Sequence, residues 1–341
     1  MTRRPARRSL RRTTTLIVAA GLAFGTAACG TATDALVGLE PAPSESAAAA
    51  PLDTDGAAAI AARLLDARLA ASATKGEEGD KARAEVLTGD ALTVADRAAA
   101  MGVADPRAEQ LTKEAEPTVL AQSRGRDWPR AILATTLDST TNTQFLHVMV
   151  SESPEDPFKI TSTVAMLGGA ELPALGSANA GAPFVDPEVG DGLVMSPAKA
   201  FGQYAAALAR PAPKKAPASV AADDAFAAAL RDSASRQAKA LGKLGTLKQE
   251  HKPYLDDAVA FRLADGGVVA FGLLRRTDTI AVREGAKELV LPSELAKLVG
   301  KKRVQKSVAL TSLEPVVLVV PTEGDVTVIG ASDLLYRGKG S

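Results

Sequence analysis

The order of hydrophobic patterns is the feature that most constrains the fold of this chain. Helical patterns come first. Ile60, Leu64, Leu65 and Leu69 recur at helical spacing, and a second helical pattern covers about 81–101, with an interruption at 87–90. A charged gap at 75–80 separates the two. β-rich runs follow at 119–120, 131–137, 144–150 and 158–167, separated by turn-forming residues. Helices followed by strands predict an α+β domain with helices on one face of an antiparallel sheet.

The second half of the chain repeats this order. Helices are predicted at 196–208 and 223–244, and a short one at Ser293–Val299. Strands are predicted at 247–250, 258–263, 268–276, 305–310, 316–320 and 326–335, with hairpin turns at 265–267 and 323–325. We therefore expect two similar α+β domains, at 54–172 and 196–338, joined by a Gly- and Pro-rich linker at 173–195.

The N-terminal segment has the pattern of a signal peptide, covering residues 1–28. Its positive region contains Arg3, Arg4, Arg7, Arg8, Arg11 and Arg12. The apolar stretch Leu16–Phe24 follows, and small residues then lead to Cys29. Such a segment predicts that the mature chain lies outside the cytoplasm. Residues 29–53 are rich in Pro, Ser and Ala without hydrophobic periodicity, which predicts a disordered tether.

The residues Thr26, Ala27, Ala28 and Cys29 resemble the lipobox of bacterial lipoproteins, although Leu is usual where Thr26 stands. The resemblance implies cleavage after Ala28 and a diacylglycerol, with fatty acids such as palmitate, on the Cys29 thiol. Two acyl chains are enough for stable anchoring. The alternatives are an ordinary cleaved signal with an incidental cysteine and, for export, a twin-Arg route suggested by Arg7-Arg8 instead of the general secretory route.

Composition excludes several classes of function. A single Cys excludes an internal disulfide, and with only two His it excludes a Cys/His metal cluster. The whole chain has no net charge, and removal of residues 1–28 leaves 34 basic and 40 acidic side chains, a net charge of −6. No nucleic-acid partner is expected. The folded part is expected to be repelled by anionic membrane surfaces, so the lipid must hold it there.

One basic cluster is a candidate binding surface. Lys301, Lys302 and Arg303 are flanked by Lys297 and Lys306. In an envelope protein this cluster could contact an anionic polymer or phospholipid headgroups, and the alternative is a solvated loop after a short helix.

Catalytic motifs are weak, and no cofactor is expected. His147 is expected to be a hydrogen-bonded strand residue, and His251 lies in a charged stretch that indicates a solvated side chain. Ser196 and Lys199 match the Ser-x-x-Lys pattern of penicillin-binding proteins, but so do Ser72 and Lys75. Ser196 before Pro197 is typical of a helix N-cap. Residues 186–191 have some character of a calcium loop without its closing Glu.

The order of elements is similar to the cone-shaped folds typified by nuclear transport factor two, and to cystatin-like folds. The chain as a whole resembles an uncharacterised group of actinobacterial lipoproteins. The extracytoplasmic region of that group has no known function, and the resemblance implies no catalytic residue. We expect a non-enzymatic binding or scaffolding protein, anchored to the membrane by its lipid, that contacts an envelope protein or anionic polymer. The alternative is a small-molecule-binding or isomerase-like cone, with candidates Tyr204, Tyr254, Asp256 and Asp257. A two-lobed solute-binding protein is disfavoured, because strands do not alternate with helices.

Overall fold

The computed structural model describes residues 49–103, 116–125, 127–215, 217, 219–220 and 222–341. The first half begins with three helices, α1 (Thr54–Ala73), α2 (Gly76–Val86) and α3 (Gly89–Ala100). Four strands follow, β1 (Thr118–Gln122), β2 (Arg130–Asp138), β3 (Thr143–Ser151) and β4 (Lys159–Ala165). They form one antiparallel sheet in the order β1-β2-β3-β4.

The second half has helices α4 (Pro197–Ala207) and α5 (Ala225–Leu241), then three long strands, β5 (Gly245–Arg262), β6 (Val268–Val282) and β9 (Ser307–Val320). Between β6 and β9 lie β7 (Leu289–Val290), α6 (Ser293–Val299) and β8 (Arg303–Val304). The strands β10 (Thr327–Ala331) and β11 (Leu334–Gly340) pair one after the other along the free side of β9. The second sheet therefore has the antiparallel order β10-β9-β6-β5, and β11 also pairs with β9.

Side-chain caps explain where three helices begin. The Asp53 carboxylate accepts a hydrogen bond from Gly56 N at the start of α1, and the Asp224 carboxylate accepts one from Ala227 N at the start of α5. The Ser196 hydroxyl accepts one from Lys199 N before Pro197 at the start of α4. Each cap satisfies a backbone N–H that has no partner within the helix.

The hydrophobic residues sort into layers because successive strand residues point to opposite faces. In β2, Ile132 and Ala134 pack under the helices of the first half, whereas Ala131 and Leu133 pack against the second sheet. In β9, Val317 and Val319 pack against the first sheet, and residues 316, 318 and 320 pack under α4. The order of layers is helices, first sheet, second sheet, helices.

The α+β prediction is confirmed: helices pack on one face of an antiparallel sheet in each half. The segment 173–195 lies across both halves, because Ala182 N donates to Gln122 O and Val185 N donates to Ala260 O. The described residues from 49 to 341 belong to one compact unit. That the boundaries at 172 and 196 delimit separate domains stays a prediction.

Three predictions of secondary structure are wrong. The charged gap at 75–80 is mostly helical, since α2 begins at Gly76, and the break falls at Leu87 and Thr88, where Thr88 N bonds to Ile160 O of β4. The strands predicted at 247–250 and 258–263 are one strand, β5, with an irregularity between Tyr254 and Val259. Those predicted at 305–310 and 316–320 are likewise one strand, β9. Polar residues interrupt the apolar pattern there without ending the strands.

Among the described helices, none is long and apolar enough to cross a membrane. The predicted signal peptide, with Thr26, Ala27, Ala28 and Cys29, lies outside the described residues. So does the predicted tether up to residue 48.

Candidate functional site

The two sheets differ in length, and this difference leaves part of the second sheet uncovered. Strands β5, β6 and β9 have 18, 15 and 14 residues, whereas β2, β3 and β4 have 9, 9 and 7. The first sheet covers Phe261, Phe271 and Val317. Helix α3 then covers Leu273 and Leu313 through Val94 and Ala98. Beyond this point the described residues of the first half no longer cover the second sheet.

The uncovered side chains form rows, because directly paired residues of antiparallel strands share a face. We name this surface the open face and define it by three rows across β5, β6, β9 and β11. The rows are Lys248–Thr279–Ala309–Lys339, Glu250–Thr277–Thr311–Arg337, and Lys252–Arg275. Burial in β5 alternates strictly here, with residues 246, 248, 250, 252 and 254 exposed and 245, 247, 249 and 251 buried. The open face is therefore a regular sheet surface.

Basic side chains lie at both edges of the open face, and mostly small side chains lie between them. Lys248 and Lys252 lie on the edge strand β5, and Arg337 and Lys339 lie on the edge strand β11. The middle strands β6 and β9 present half-buried Thr and Ala residues, and Arg275 at one end. The Arg275 guanidinium lies over the Tyr254 ring, 4.6 Å from its centroid. Long basic side chains on β5 and β11 therefore flank a strip of short side chains on β6 and β9, and we call this strip the trough.

Five basic side chains and one carboxylate make up the charge of the open face. The Glu250 carboxylate is 2.5 Å from the Lys248 ammonium. This hydrogen bond and the charge of Lys248, aided by Lys252, lower the pKa of Glu250. Lys252, Arg337 and Lys339 form no ion pair with any described residue. The open face is thus strongly positive, whereas the whole chain has no net charge.

A buried ionic network lies on the other face of the same strands. The Arg276 guanidinium contacts Glu314 (Nη1–Oε1, 2.7 Å) and Asp278 (Nε–Oδ2, 3.2 Å). Its Nη2 donates to Ser312 Oγ at 3.1 Å and to Asp333 Oδ2 at 3.0 Å. Burial acts to lower the pKa of Arg276, but the charges of Glu314, Asp278 and Asp333 raise it. For Asp278, burial raises the pKa above its usual value, against the opposing effect of Arg276.

His251 belongs to this network, so the prediction of a solvated side chain is wrong. Its side chain is 1% exposed, and its Nδ1 is 2.8 Å from Glu314 Oε2. The reason is the strand alternation, which turns every second residue of a charged stretch inward. The network ties β5, β6 and β9 together and holds the strands of the open face in register.

The structure confirms the prediction that His147 is a hydrogen-bonded strand residue. It is fully buried, with Nε2 2.9 Å from Thr136 Oγ1 and Nδ1 3.1 Å from Thr163 Oγ1. Burial, and then the nearby charge of Arg68, lowers the pKa of His147 to about 3. The imidazole is therefore neutral at physiological pH. Both histidines of the chain are held inside the protein by polar neighbours.

The predicted basic cluster lies at one end of the second sheet. Lys301, Lys302 and Arg303 are exposed, but Lys301 Nζ donates to Gly340 O at 3.2 Å and Arg303 pairs with Glu288 at 2.5 Å. Only the Lys302 ammonium of these three lacks a described partner. The cluster follows α6, which packs on β11 from the side opposite to the open face, since a Cβ at Gly338 would meet Val299. It is thus separate from the open face.

The remaining candidates do not assemble into a site. Tyr204 is a buried residue of α4, and its hydroxyl donates to Asp224 at 3.0 Å. Burial, and then Asp224, raises the pKa of Tyr204. Tyr254 is exposed on the opposite side of β5, so the two tyrosines do not converge. Ser196 is the expected helix cap, and Asp186 Oδ1 accepts from Glu188 N within its own turn. The described residues hold no cluster of three or more His, Cys, Asp or Glu suited to a metal.

Sequence reasoning missed the open face. The signal was available at 246–254, where charged or polar residues alternate with Leu247, Gln249 and His251, as in a strand with one exposed face. Because Gln and His do not count as apolar, the alternation does not register as a hydrophobic period.

These features define a class: an α+β protein with two stacked antiparallel sheets, outer helices, and one exposed basic sheet face. The chain belongs to the family described as "Domain of unknown function (DUF8094)", whose model matches residues 40–339. No curated protein and no solved structure matches the chain.

Proposed function

We propose that this chain is a lipid-anchored, extracytoplasmic protein of the kind found in actinobacteria, which binds anionic material of the cell envelope without catalysing a reaction. The observation that carries the proposal is the open face, since five basic side chains gather on one surface of a chain that is acidic after processing. A positive surface on a negative protein favours binding of an anionic partner through that surface alone.

The N-terminal sequence supports the location. The arginine-rich start, the apolar stretch and the residues Thr26–Cys29 lead to diacylglycerol on Cys29, which would hold the protein at the outer face of the cytoplasmic membrane. The non-enzymatic part of the proposal rests on the histidines. Histidine is the most common general base in enzymes. Both histidines of this chain, His147 and His251, are buried and bonded to polar neighbours.

Anchoring is tested in the native host by replacing Cys29 with Ser. We expect the wild-type chain to take up a fatty-acid label and to remain in the membrane fraction, and the Cys29→Ser chain to lose both. Thr26→Leu is the matched control, because it brings the lipobox to the usual pattern and must keep the label. Membrane retention of the Cys29→Ser chain equal to the wild type, without a label on either, would show that the anchor is wrong.

Binding is tested by retention of the processed chain, residues 29–341 with Cys29→Ser, on isolated cell-envelope polymer. We expect retention at low salt that falls steeply as salt rises, because exposed charges are screened. Passage through the material without retention at low salt would contradict the proposed function.

A further inference from the structure

We propose that the open face is the binding site for a linear polyanion, a polymer with a phosphate or carboxylate in each repeat, lying in the trough between β5 and β11. The inference rests on the proposed function, and it specifies both the surface and the chemical class of the partner. It also moves the contact away from Lys301, Lys302 and Arg303.

The width of the trough fits a single polymer chain. Neighbouring strands lie about 4.8 Å apart, so the two edge strands of a four-stranded face are about 14 Å apart. Lys248 and Lys339 stand at the two ends of one row, with Thr279 and Ala309 between them. Basic groups on both sides can each contact an anionic group of a chain that occupies the middle.

The floor of the trough offers hydroxyl groups. Thr277, Thr279 and Thr311 are half-buried between the longer edge side chains. A threonine hydroxyl can donate a hydrogen bond to a phosphate or carboxylate oxygen. Recessed donors of this kind are within reach of a narrow polymer that enters the trough.

The same features disfavour a bilayer surface as the partner. A peripheral protein binds a membrane through buried apolar area together with charge. The open face has no large apolar side chain, and the neighbouring Tyr254 ring is already stacked with Arg275. A flat bilayer would also reach the edge side chains without reaching the threonines.

The open face has more basic side chains without an ion pair to a described residue than the cluster at residues 301–303 has. Lys252, Arg337 and Lys339 have no described ion pair, whereas Lys301 and Arg303 are bonded to Gly340 O and Glu288. A polyanion can therefore contact the first three without breaking an ion pair of the protein.

The experiment compares two triple variants that remove the same charge. Both are made in the processed chain, residues 29–341, carrying Cys29→Ser, so that neither a lipid nor the six arginines and the apolar stretch of residues 1–28 contribute to binding. The face variant is Lys252→Gln, Arg337→Gln, Lys339→Gln, and the control variant is Lys301→Gln, Lys302→Gln, Arg303→Gln. The probes are a long-chain linear polyphosphate and phosphatidylglycerol vesicles.

We expect the face variant to bind polyphosphate at least 10-fold more weakly and the control variant to stay within about 2-fold of the parent. Three lost contacts should reduce the slope of log affinity against log salt by about 2, as for single-stranded polyanions. Both variants should keep the parent's melting temperature, because the removed side chains are exposed.

A charge-neutral variant tests the trough itself. Thr279→Tyr fills the middle of the face with a residue that strands accept readily. We expect polyphosphate binding to weaken about 5-fold or more while all five basic side chains remain.

Several outcomes would overturn the inference. An equal loss in the two triple variants would show general charge attraction, and an unchanged face variant would show a different site. A face variant that loses vesicle binding but keeps polyphosphate binding would identify a membrane-docking surface instead. A parent chain that binds neither probe nor envelope polymer would contradict the proposed function as well. The failure of the proposed function is thus distinguished from a failure of the open face as its binding site.

Discussion

The two sheets of this protein have the same layer arrangement but different surroundings. The first sheet has helices on one face and the second sheet on the other, so Leu133 and Met149 are both fully buried although they face opposite ways. The second sheet is covered in this way only along the part that the shorter strands reach. The difference in strand length therefore gives one of two similar sheets an exposed face among the described residues.

The two histidines show a second difference. Each lies on the helix-facing side of its sheet, but His147 is surrounded by threonine hydroxyls and Arg68, whereas His251 bonds to the Glu314 carboxylate. The first half satisfies its buried imidazole with neutral partners, and the second half builds an ionic network. Mutations should therefore affect the two halves differently.

The largest effect is expected for Glu314→Ala. It leaves Arg276 and His251 buried without their shared carboxylate, and losing one partner of a buried ion pair costs about 3–5 kcal/mol in the free energy of unfolding. Urea denaturation measures this cost. Glu250→Ala is the control on the opposite face of the same sheet, and its urea midpoint should match the wild type. A Glu314→Ala chain as stable as the control would show that the network contributes little.

The next effect is a pH dependence that belongs to His147. Its pKa is about 3 in the folded chain against 6.5 in the unfolded chain, so the unfolded chain binds the proton first as pH falls. The stability contribution is complete above pH 6.5 and is lost as pH falls toward 3, by about 1.4 kcal/mol per pH unit. His147→Gln, which can still bond to Thr136 and Thr163, should have a flatter stability curve between pH 6 and 4. Identical slopes would show that His147 titrates normally.

The smallest effect is expected for a pair of matched Thr→Val substitutions. Thr136→Val removes the bond to His147 Nε2 in the first sheet, and an unsatisfied buried polar group costs about 1–3 kcal/mol. Thr277 lies on the open face, so Thr277→Val leaves no buried group without a hydrogen-bond partner. Valine is also a good strand residue. We expect a lower melting temperature for Thr136→Val and no decrease for Thr277→Val. A drop of the same size in both would mean that the face at Thr277 is covered.

The sequence was sufficient to predict the bounds of helices and strands where apolar residues recur at the helical or strand period. Helix α6 was predicted at its observed bounds, Ser293–Val299, and the first-half strands at 131–137 and 144–150 differ from the structure by one residue at each end. Ser196 was correctly predicted as a cap, because its role depends only on local geometry.

The sequence was not sufficient where burial depends on partners far along the chain. His251 becomes buried through Glu314, which lies 63 residues away, and no local pattern announces such a pair. For the same reason β5 and β9 were each divided into two strands. The alternation at 246–254 marks one strand with an exposed face, but the extent of the open face depends on those strand lengths, because it exists only where the second sheet extends past the first.

The central claim, that the open face is the surface that binds a polyanion, is tested most directly by lysine acetylation read by mass spectrometry. Adding linear polyphosphate should slow acetylation of Lys248, Lys252 and Lys339 and leave Lys301 and Lys302 at their original rates. Protection of Lys301 and Lys302 with no change at Lys248, Lys252 and Lys339 would contradict the account and place the contact at the end of the sheet.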